Sequence, residues 1–365
     1  VKPPVPSTGP EAHPPTSGPG RLVAPTARLL LPAGAPEDIW RTVRQTGAGG
    51  SDVAAILGLD RYRGPLHVWQ DKTGQLRPER DVRLERAARR GHRLESLVAE
   101  FFTEDSGLTV LDSPGTLQHI DHPHWIANPD RLTVAPDDTG RDELGVLECK
   151  TRTWRSARIE GWRGEEPPDG PSLQAHWYLT VTGYRHAYIA GLLDDDLVWF
   201  RLERDDELCQ LLADAVDEFW QHHVLTGIPP QPDGSKATAD LLARMWEAEQ
   251  DATADVDPVE TTLLLARRRE LAARAAELGG DLDTVDNRLR ALLGEAEVAL
   301  VGGRPAYTWR QNGTFAAKRF REAEPELAAA YTRSVPAVDL DRLKAERPET
   351  YRQYRARRLV VPTEG

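Results

Sequence analysis

The chain has 365 residues, 39% hydrophobic and 28% charged, enough apolar material for a real core in one large or two smaller domains. A formal net charge of −12 argues against a protein that simply coats nucleic acid, and two cysteines, Cys149 and Cys209, exclude a disulfide framework or a four-cysteine metal centre. No run reaches the roughly 18 apolar residues of a membrane span and no basic-then-apolar leader opens the chain, so a cytoplasmic protein with no membrane partner is expected.

Residues 1–35 are rich in Pro, Gly, Ser and Ala and read as a disordered tail, with order beginning near Trp40. Gly50-Ser51-Asp52 opens a first helix, and Pro65 and Gly74 bracket a second. Residues 84–104 place Leu94, Val98 and Phe101 or Phe102 on one helical face. Four strand-like runs follow: LTVLD, TLQHI, WIANPDRLTV and LGVLECKTRT. PSLQAHWYLTVTG reads as a helix, HAYIAGLL and LVWFRLE as strands, and 207–223 as a closing helix. This order predicts the α/β class, a mixed α+β sheet flanked by helices over residues 36–228. Residues 229–300 predict a helical extension, with 236–250 and 258–300 helical and a hairpin break at Gly279-Gly280. Residues 301–365 predict a short β-hairpin around Asn312-Gly313 and a basic tail, where Arg352, Arg355, Arg357 and Arg358 either contact phosphates or are solvated.

Alternation in LGVLECK sends Glu148 and Lys150 to one face and Leu147 and Cys149 to the other, so Cys149 is expected in the core. A Glu and a Lys at the end of so apolar a strand are costly without partners. Asp130, ending the preceding run, reaches the same edge if the two strands pair. Two carboxylates and a carbonyl make a hard oxygen site of the kind Mg²⁺ prefers, and a lysine beside it orients water and opposes charge on a phosphoryl transition state. The plain alternative is a strand-end Glu148–Lys150 salt bridge. Gly49-Gly50-Ser51-Asp52 offers helix-start amides and a hydroxyl to an anion, or ordinary capping by Ser51. His122 and His124 read as a turn, and Trp69 and Trp177 as core.

The Asp130…Glu148-x-Lys150 spacing resembles the D…E-x-K signature of the PD-(D/E)xK nuclease superfamily, with Pro129 before Asp130. Four further stretches fall in the order of its YqaJ-like viral recombinase branch, related to lambda exonuclease: GGSDVAAILGLDRYRGPLHVWQDKTG, GHRLESLVAEFF, HPHWIANPDRL and LQAHWYLTVTG. Ser96 stands where that pattern has proline, only the first glutamine of a Q-x-Q-x-Q run is kept, as Gln174, and DGPSL lacks the aromatic that often precedes it.

The resemblance implies a restriction-endonuclease-like core and a DNA exonuclease dependent on Mg²⁺, with Mn²⁺ as a substitute. Asp130, Glu148 and the Cys149 backbone carbonyl would hold the metal, with Glu95 completing the site directly or through water, Lys150 would position the attacking water, and Gln174 would orient Lys150 or the substrate. Ser51, with Arg61 or Arg63, would take the 5′-phosphate. Partners implied are double-stranded DNA ends, a single-strand annealing protein and further copies in a homo-oligomer, in a bacterial host's cytoplasm for a phage-encoded chain. Digestion of the 5′-ended strand in phage-type recombination is the leading expectation. An endonuclease or flap nuclease using the same site, and a catalytically silent DNA-binding or scaffolding module, are the alternatives.

Overall fold

The computed structural model describes residues 20–75, 82–137, 139–245, 252–333, 337–355 and 359. The chain divides into two compact units, Val1–Trp246 and Glu247–Gly365.

The first unit opens with β1 (Leu22–Ala24), β2 (Ala27–Pro32), α1 (Glu37–Arg44), α2 (Gly50–Ile56), α3 (Pro65–Lys72) and α4 (Val82–Ser106). Next come β3 (Thr109–Asp112), β4 (Gly115–His119), β5 (Ile126–Ala127), β6 (Arg131–Pro136) and β7 (Asp142–Arg152). Then α5 (Trp154–Glu160) and α6 (Asp169–Thr182) lead to β8 (His186–Leu193), β9 (Asp196–Glu203), α7 (Asp206–Phe219) with a π-helical turn at Trp220–Val224, and α8 (Lys236–Met245).

A five-stranded sheet, ordered β3-β6-β7-β8-β9, is antiparallel except where β7 runs parallel to β8. A parallel pair needs a crossover, and α5 and α6 supply it. All eight residues of β8 are buried, as an apolar central strand covered on both faces should be. On one face Val146, Ala187 and Ile189 pack with Ala175, Trp177 and Leu179 of α6. On the other, Leu147, Cys149 and Tyr188 pack with Val98 and Phe102 of α4. The alternation expected for β7 is therefore present, with Cys149 in the core. Trp177 is fully buried and donates from Nε1 to the carbonyls of Ala48 (3.2 Å) and Ile126 (3.0 Å). Trp69 is also core.

Several expectations need correction. The tail over 1–35 holds at most outside the described residues, because β1 and β2 lie within it. β2 pairs antiparallel with β4 in a second sheet, β1-β2-β4-β5, and buries Ala27 and Leu29. Hydrophobic alternation in ARLLLP outweighs the surrounding prolines and glycines. The first unit also runs past residue 228: Leu241 of α8 packs with Leu66 and Trp69 of α3 and Phe219 of α7.

The second unit contains α9 (Pro258–Leu293), β10 (Val298–Val301), β11 (Arg304–Thr308), α10 (Ala317–Ala323), α11 (Pro325–Ala330), α12 (Leu340–Glu346) and α13 (Pro348–Gln353). Helix α9 is one 36-residue rod through Gly279-Gly280, not a hairpin. A mid-helix glycine costs only about 1 kcal/mol relative to alanine, too little to break so long a run of helix formers. The turn between β10 and β11 is Gly302-Gly303, at φ 58° and 78°, rather than Asn312-Gly313. Two adjacent left-handed residues suit a two-residue hairpin turn, and glycine takes them without strain. The expected basic tail holds α10 to α13 instead, and Arg357 and Arg358 lie outside the described residues. No helix among the described residues is long and apolar enough to cross a membrane.

Candidate active site

Strands β6 and β7 pair with Arg131 opposite Leu147, so one further step sets Asp130 across from Glu148. Asp130 Oδ2 accepts the backbone N–H of Cys149 at 2.8 Å, which fixes the carboxylate against β7. Glu148 is 1% exposed, and its Oε2 has no hydrogen-bond partner. Its Oε1 takes the Lys150 ammonium, so the strand-end salt bridge is present. That ammonium also donates to Gln174 Oε1 at 3.0 Å, and Gln174 Nε2 donates to the Tyr178 hydroxyl at 2.7 Å. One turn of α6 thus holds a chain from Tyr178 through Gln174 and Lys150 to Glu148.

Electrostatics separates these groups. Loss of solvent, and then the Glu148 charge, push Asp130 well above the usual carboxylate range. Burial pushes Glu148 up as well, against the pull of Lys150. Burial disfavours the Lys150 ammonium, but Glu148 and Asp130 outweigh it and hold the amine above its ordinary value. Burial and the same carboxylates push the Tyr178 phenol well up, so it stays a neutral donor and acceptor. Burial also raises the Cys149 thiol well above its usual value.

Glu95 of α4 stands near enough for its charge to raise Asp130 and Glu148, yet its Oε2 pairs with His92 Nδ1 at 3.0 Å. Among the described residues no group of three or more His, Cys, Asp or Glu side chains gathers closely enough to hold one metal ion. Asp130 and Glu148 thus face each other across β6 and β7, and Glu95 does not close a cluster of three with them. Ser96 has a contact of its own: Arg131 donates to Ser96 Oγ (3.0 Å) and to the Asp130 carbonyl (2.6 Å), tying α4 to the start of β6.

A second cluster adjoins this one. Helix α2 begins against α6 so closely that a Cβ on Gly50 would lie 2.7 Å from Tyr178 Cε1 and 2.8 Å from Gln174 Cγ. Asp52, fully buried in α2, carries Lys72 Nζ at 2.8 Å, Arg63 Nη1 at 3.1 Å and Arg44 Nη2 at 3.3 Å. Burial alone would raise the Asp52 carboxyl, but Lys72, Arg44 and Arg63 overcome it and hold the group far below its ordinary range. Lys72 is wholly enclosed and also donates to the Arg44 carbonyl at 2.9 Å, whereas the side chains of Arg44 and Arg63 keep 26% and 29% exposure. Two arginine side chains thus stay partly exposed on the α2 cluster, which packs against Tyr178 and Gln174 of α6.

Ser51 does not cap α2. Asp52 Oδ2 takes the Gly49 N–H at 3.1 Å, closing the helix from its third position, and Ser51 Oγ accepts from Arg44 Nη2 at 2.8 Å. Arg63 belongs to the cluster. Arg61 instead lies over the Tyr62 ring, 5.6 Å from its centroid, and joins none of the described pairs on Asp52.

The sequence pattern of the YqaJ-like viral recombinase domain matches residues 39–185. An uncharacterized protein, YqaJ, from Bacillus subtilis (strain 168) is 34% identical over 275 residues, covering 73% of this chain and 81% of that protein. The chain belongs to the YqaJ-like viral recombinase family. Two solved structures align with about half of the chain. An alkaline exonuclease from Laribacter hongkongensis in complex with dAMP is 18% identical, covers 52% of this chain and 94% of its own, and has a TM-score of 0.41. A phage-related exonuclease from Haemophilus somnus 129PT is 11% identical, covers 51% and 97%, and has a TM-score of 0.30.

The YqaJ-like stretch contains both clusters entire, from Arg44 to Tyr178. The sequence reading missed Arg44, Asp52 as the centre of the cationic group, Lys72 and the part played by Tyr178. A spacing signal did exist for Asp52, an acidic residue three positions after the extended Gly49. Arg44 and Lys72 carry none, since charged residues in the last turns of short helices are usually solvated. The tempting His122 and His124 form the expected turn: His122 stacks on Trp125 at 3.7 Å, and His124 Nε2 pairs with Asp217 at 2.6 Å.

Proposed function

We propose that this YqaJ-like chain is a Mg²⁺-dependent deoxyribonuclease that digests the 5′-ended strand from duplex ends, leaving a 3′ single strand for an annealing partner in phage-type recombination. The observation that carries the reading is the cross-strand pair Asp130 and Glu148, both with raised pKa and with Glu148 Oε2 unpartnered. Two desolvated carboxylates side by side oppose the fold unless a cation joins them, and hard oxygen donors suit Mg²⁺, with Mn²⁺ as a substitute. The Cys149 carbonyl would complete the protein ligands, and Glu95, which closes no cluster of three with the pair, would reach the ion through water. The ion supplies Lewis acidity to the scissile phosphate.

The remaining work falls to side chains. Lys150, held by Glu148 and Gln174, orients the attacking water and opposes the negative charge that builds on the phosphate oxygens. Gln174 keeps Lys150 in place from α6, and Tyr178 fixes which way that amide points. Lys150→Ala is expected to lower kcat by about 10²–10³-fold with little change in the Kd for duplex DNA. An equal loss in both would make Lys150 a binding residue instead.

The exposed sides of Arg44 and Arg63, with Ser51 Oγ, form the seat for a terminal 5′-phosphate. Arg63→Ala is expected to bring the rates on 5′-phosphorylated and 5′-hydroxyl ends close to parity. A preference kept at the wild-type level would remove the pocket from the mechanism.

The deciding experiment uses linear duplex labelled separately at its 5′ and 3′ ends, with Mg²⁺ or EDTA, beside a covalently closed circle. Loss of the 5′-ended strand only, in Mg²⁺ only, with the circle intact, is the expected result. Cleavage of the circle would make the chain an endonuclease, and no cleavage with any divalent ion would leave a binding module.

A further inference from the structure

Helix α9 has no buried residue over its 36 positions. Along it Leu264, Leu271, Leu278, Val285 and Leu292 recur every seven residues, and the positions four after them are Arg268, Ala275, Leu282 and Leu289, apolar except at Arg268. These are the two apolar rows of a heptad repeat. The first row is 62%, 47%, 60%, 53% and 81% exposed, so the stripe faces solvent rather than the rest of its unit. A globular groove or a membrane surface would accept the natural 3.6-residue period. A strict seven drifts about 20° per heptad on a straight helix and stays in register only against another helix that winds with it.

Charge indicates which helix that is. Residues 267–274 hold Arg267, Arg268, Arg269 and Arg274 against Glu270, a net +3, whereas residues 277–286 hold Glu277, Asp281, Asp283 and Asp286 and no base, a net −4. We infer that two copies of this chain pair antiparallel through α9, centred between Ala276 and Glu277. That alignment lays each basic block along the acidic block of the second copy. The same alignment builds the core: Leu264 meets Leu289 of the second copy, Leu271 meets Leu282 and Ala275 meets Leu278, with Arg268 against Val285 the one layer that holds a charge. Alanines and Gly279-Gly280 fall at the crossing, where small residues let the backbones approach. A parallel pair would set like charge on like over the same stretch. From Leu264 to Leu292 the seam is about 42 Å long at 1.5 Å per residue.

The test uses full-length chains, since Cys149 and Cys209 are buried and stay out of the reaction. Leu264→Cys and Leu289→Cys variants, separately tagged, are mixed and oxidised. A disulfide joining the two variants is expected, with none in either variant alone, because like positions sit about 38 Å apart along the antiparallel seam. Leu271→Glu with Leu282→Glu is expected to halve the light-scattering mass without changing the circular dichroism. Self-linking of Leu264→Cys would mean a parallel pair and overturn the register. No cross-link, with the mass of the double variant unchanged, would mean that something other than a second copy covers α9. A double variant that loses helix leaves the decision to the cysteine pair, which adds no charge.

Discussion

Asp130→Asn is expected to lower metal-dependent cleavage by at least about 10³-fold and, in the same preparation, to raise the melting temperature of the metal-free protein. The two effects share one cause. The folded-state pKa of Asp130 is raised above its unfolded value of about 3.9, by desolvation and by Glu148. Such a group favours the fold fully below the unfolded pKa, and that contribution is lost as pH rises through the folded one, so at neutral pH its charge works against folding. Asparagine keeps an oxygen for the Cys149 N–H but carries no charge to repel Glu148. Part of the Asp130 side chain still meets solvent, so the gain is about 1 kcal/mol, or roughly 2–4 °C. The gain should be absent in acid and grow as pH rises above that unfolded value. Mg²⁺ should raise the wild-type melting temperature and leave the variant's unchanged. A variant less stable than wild type at pH 8, or one that still cleaves, would show that the two carboxylates do not share a cation.

Much of this site is legible in the sequence because strand periodicity is short and strict. Alternation alone places Glu148 and Lys150 on the α6 side of β7 and Cys149 on the α4 side. The apolar run of β8 and the glycine stop at Gly183 fix the crossover helix that carries Gln174 in the same way. What the sequence hides is long-range ion pairing. Arg44, Asp52, Arg63 and Lys72 come from three helices and the loop between two of them, and nothing local distinguishes Lys72, with no exposed side-chain surface, from a solvated lysine. Competing local signals account for the other misses. Pro and Gly density around β2 masks an inward Ala27 and Leu29, and Gly279-Gly280 looks like a break in a helix that tolerates both. The heptad of α9 is written in the sequence too, but it is easily taken for ordinary leucine-rich amphipathicity until every member of its first row proves to be exposed.

Asp52→Ala should be among the most destabilising single changes in the first unit, costing about 3–5 kcal/mol and lowering the melting temperature by roughly 6–20 °C. One buried carboxylate offsets three cations here. Without it Lys72 keeps the Arg44 carbonyl but loses its counter-charge at 2.8 Å, and Arg44 and Arg63 repel each other across the gap. The linkage has the opposite sign to that of Asp130. The folded pKa of Asp52 is depressed, so its stabilisation is fully present above the unfolded value of about 3.9 and is lost only as pH falls toward the folded one. The gap between wild type and Asp52→Ala should therefore be flat from pH 5 to pH 8. Most of the cost is the ammonium left enclosed, so Asp52→Ala combined with Lys72→Met should be more stable than Asp52→Ala alone, with a coupling measurable by urea denaturation. Strict additivity of the two changes would mean that Lys72 finds solvent when Asp52 is gone, and that α3 is held to α2 by its apolar face instead. On the proposed reading, the double variant should also discriminate poorly between 5′-phosphorylated and 5′-hydroxyl ends, because Arg44 and Arg63 would no longer be held to one carboxylate.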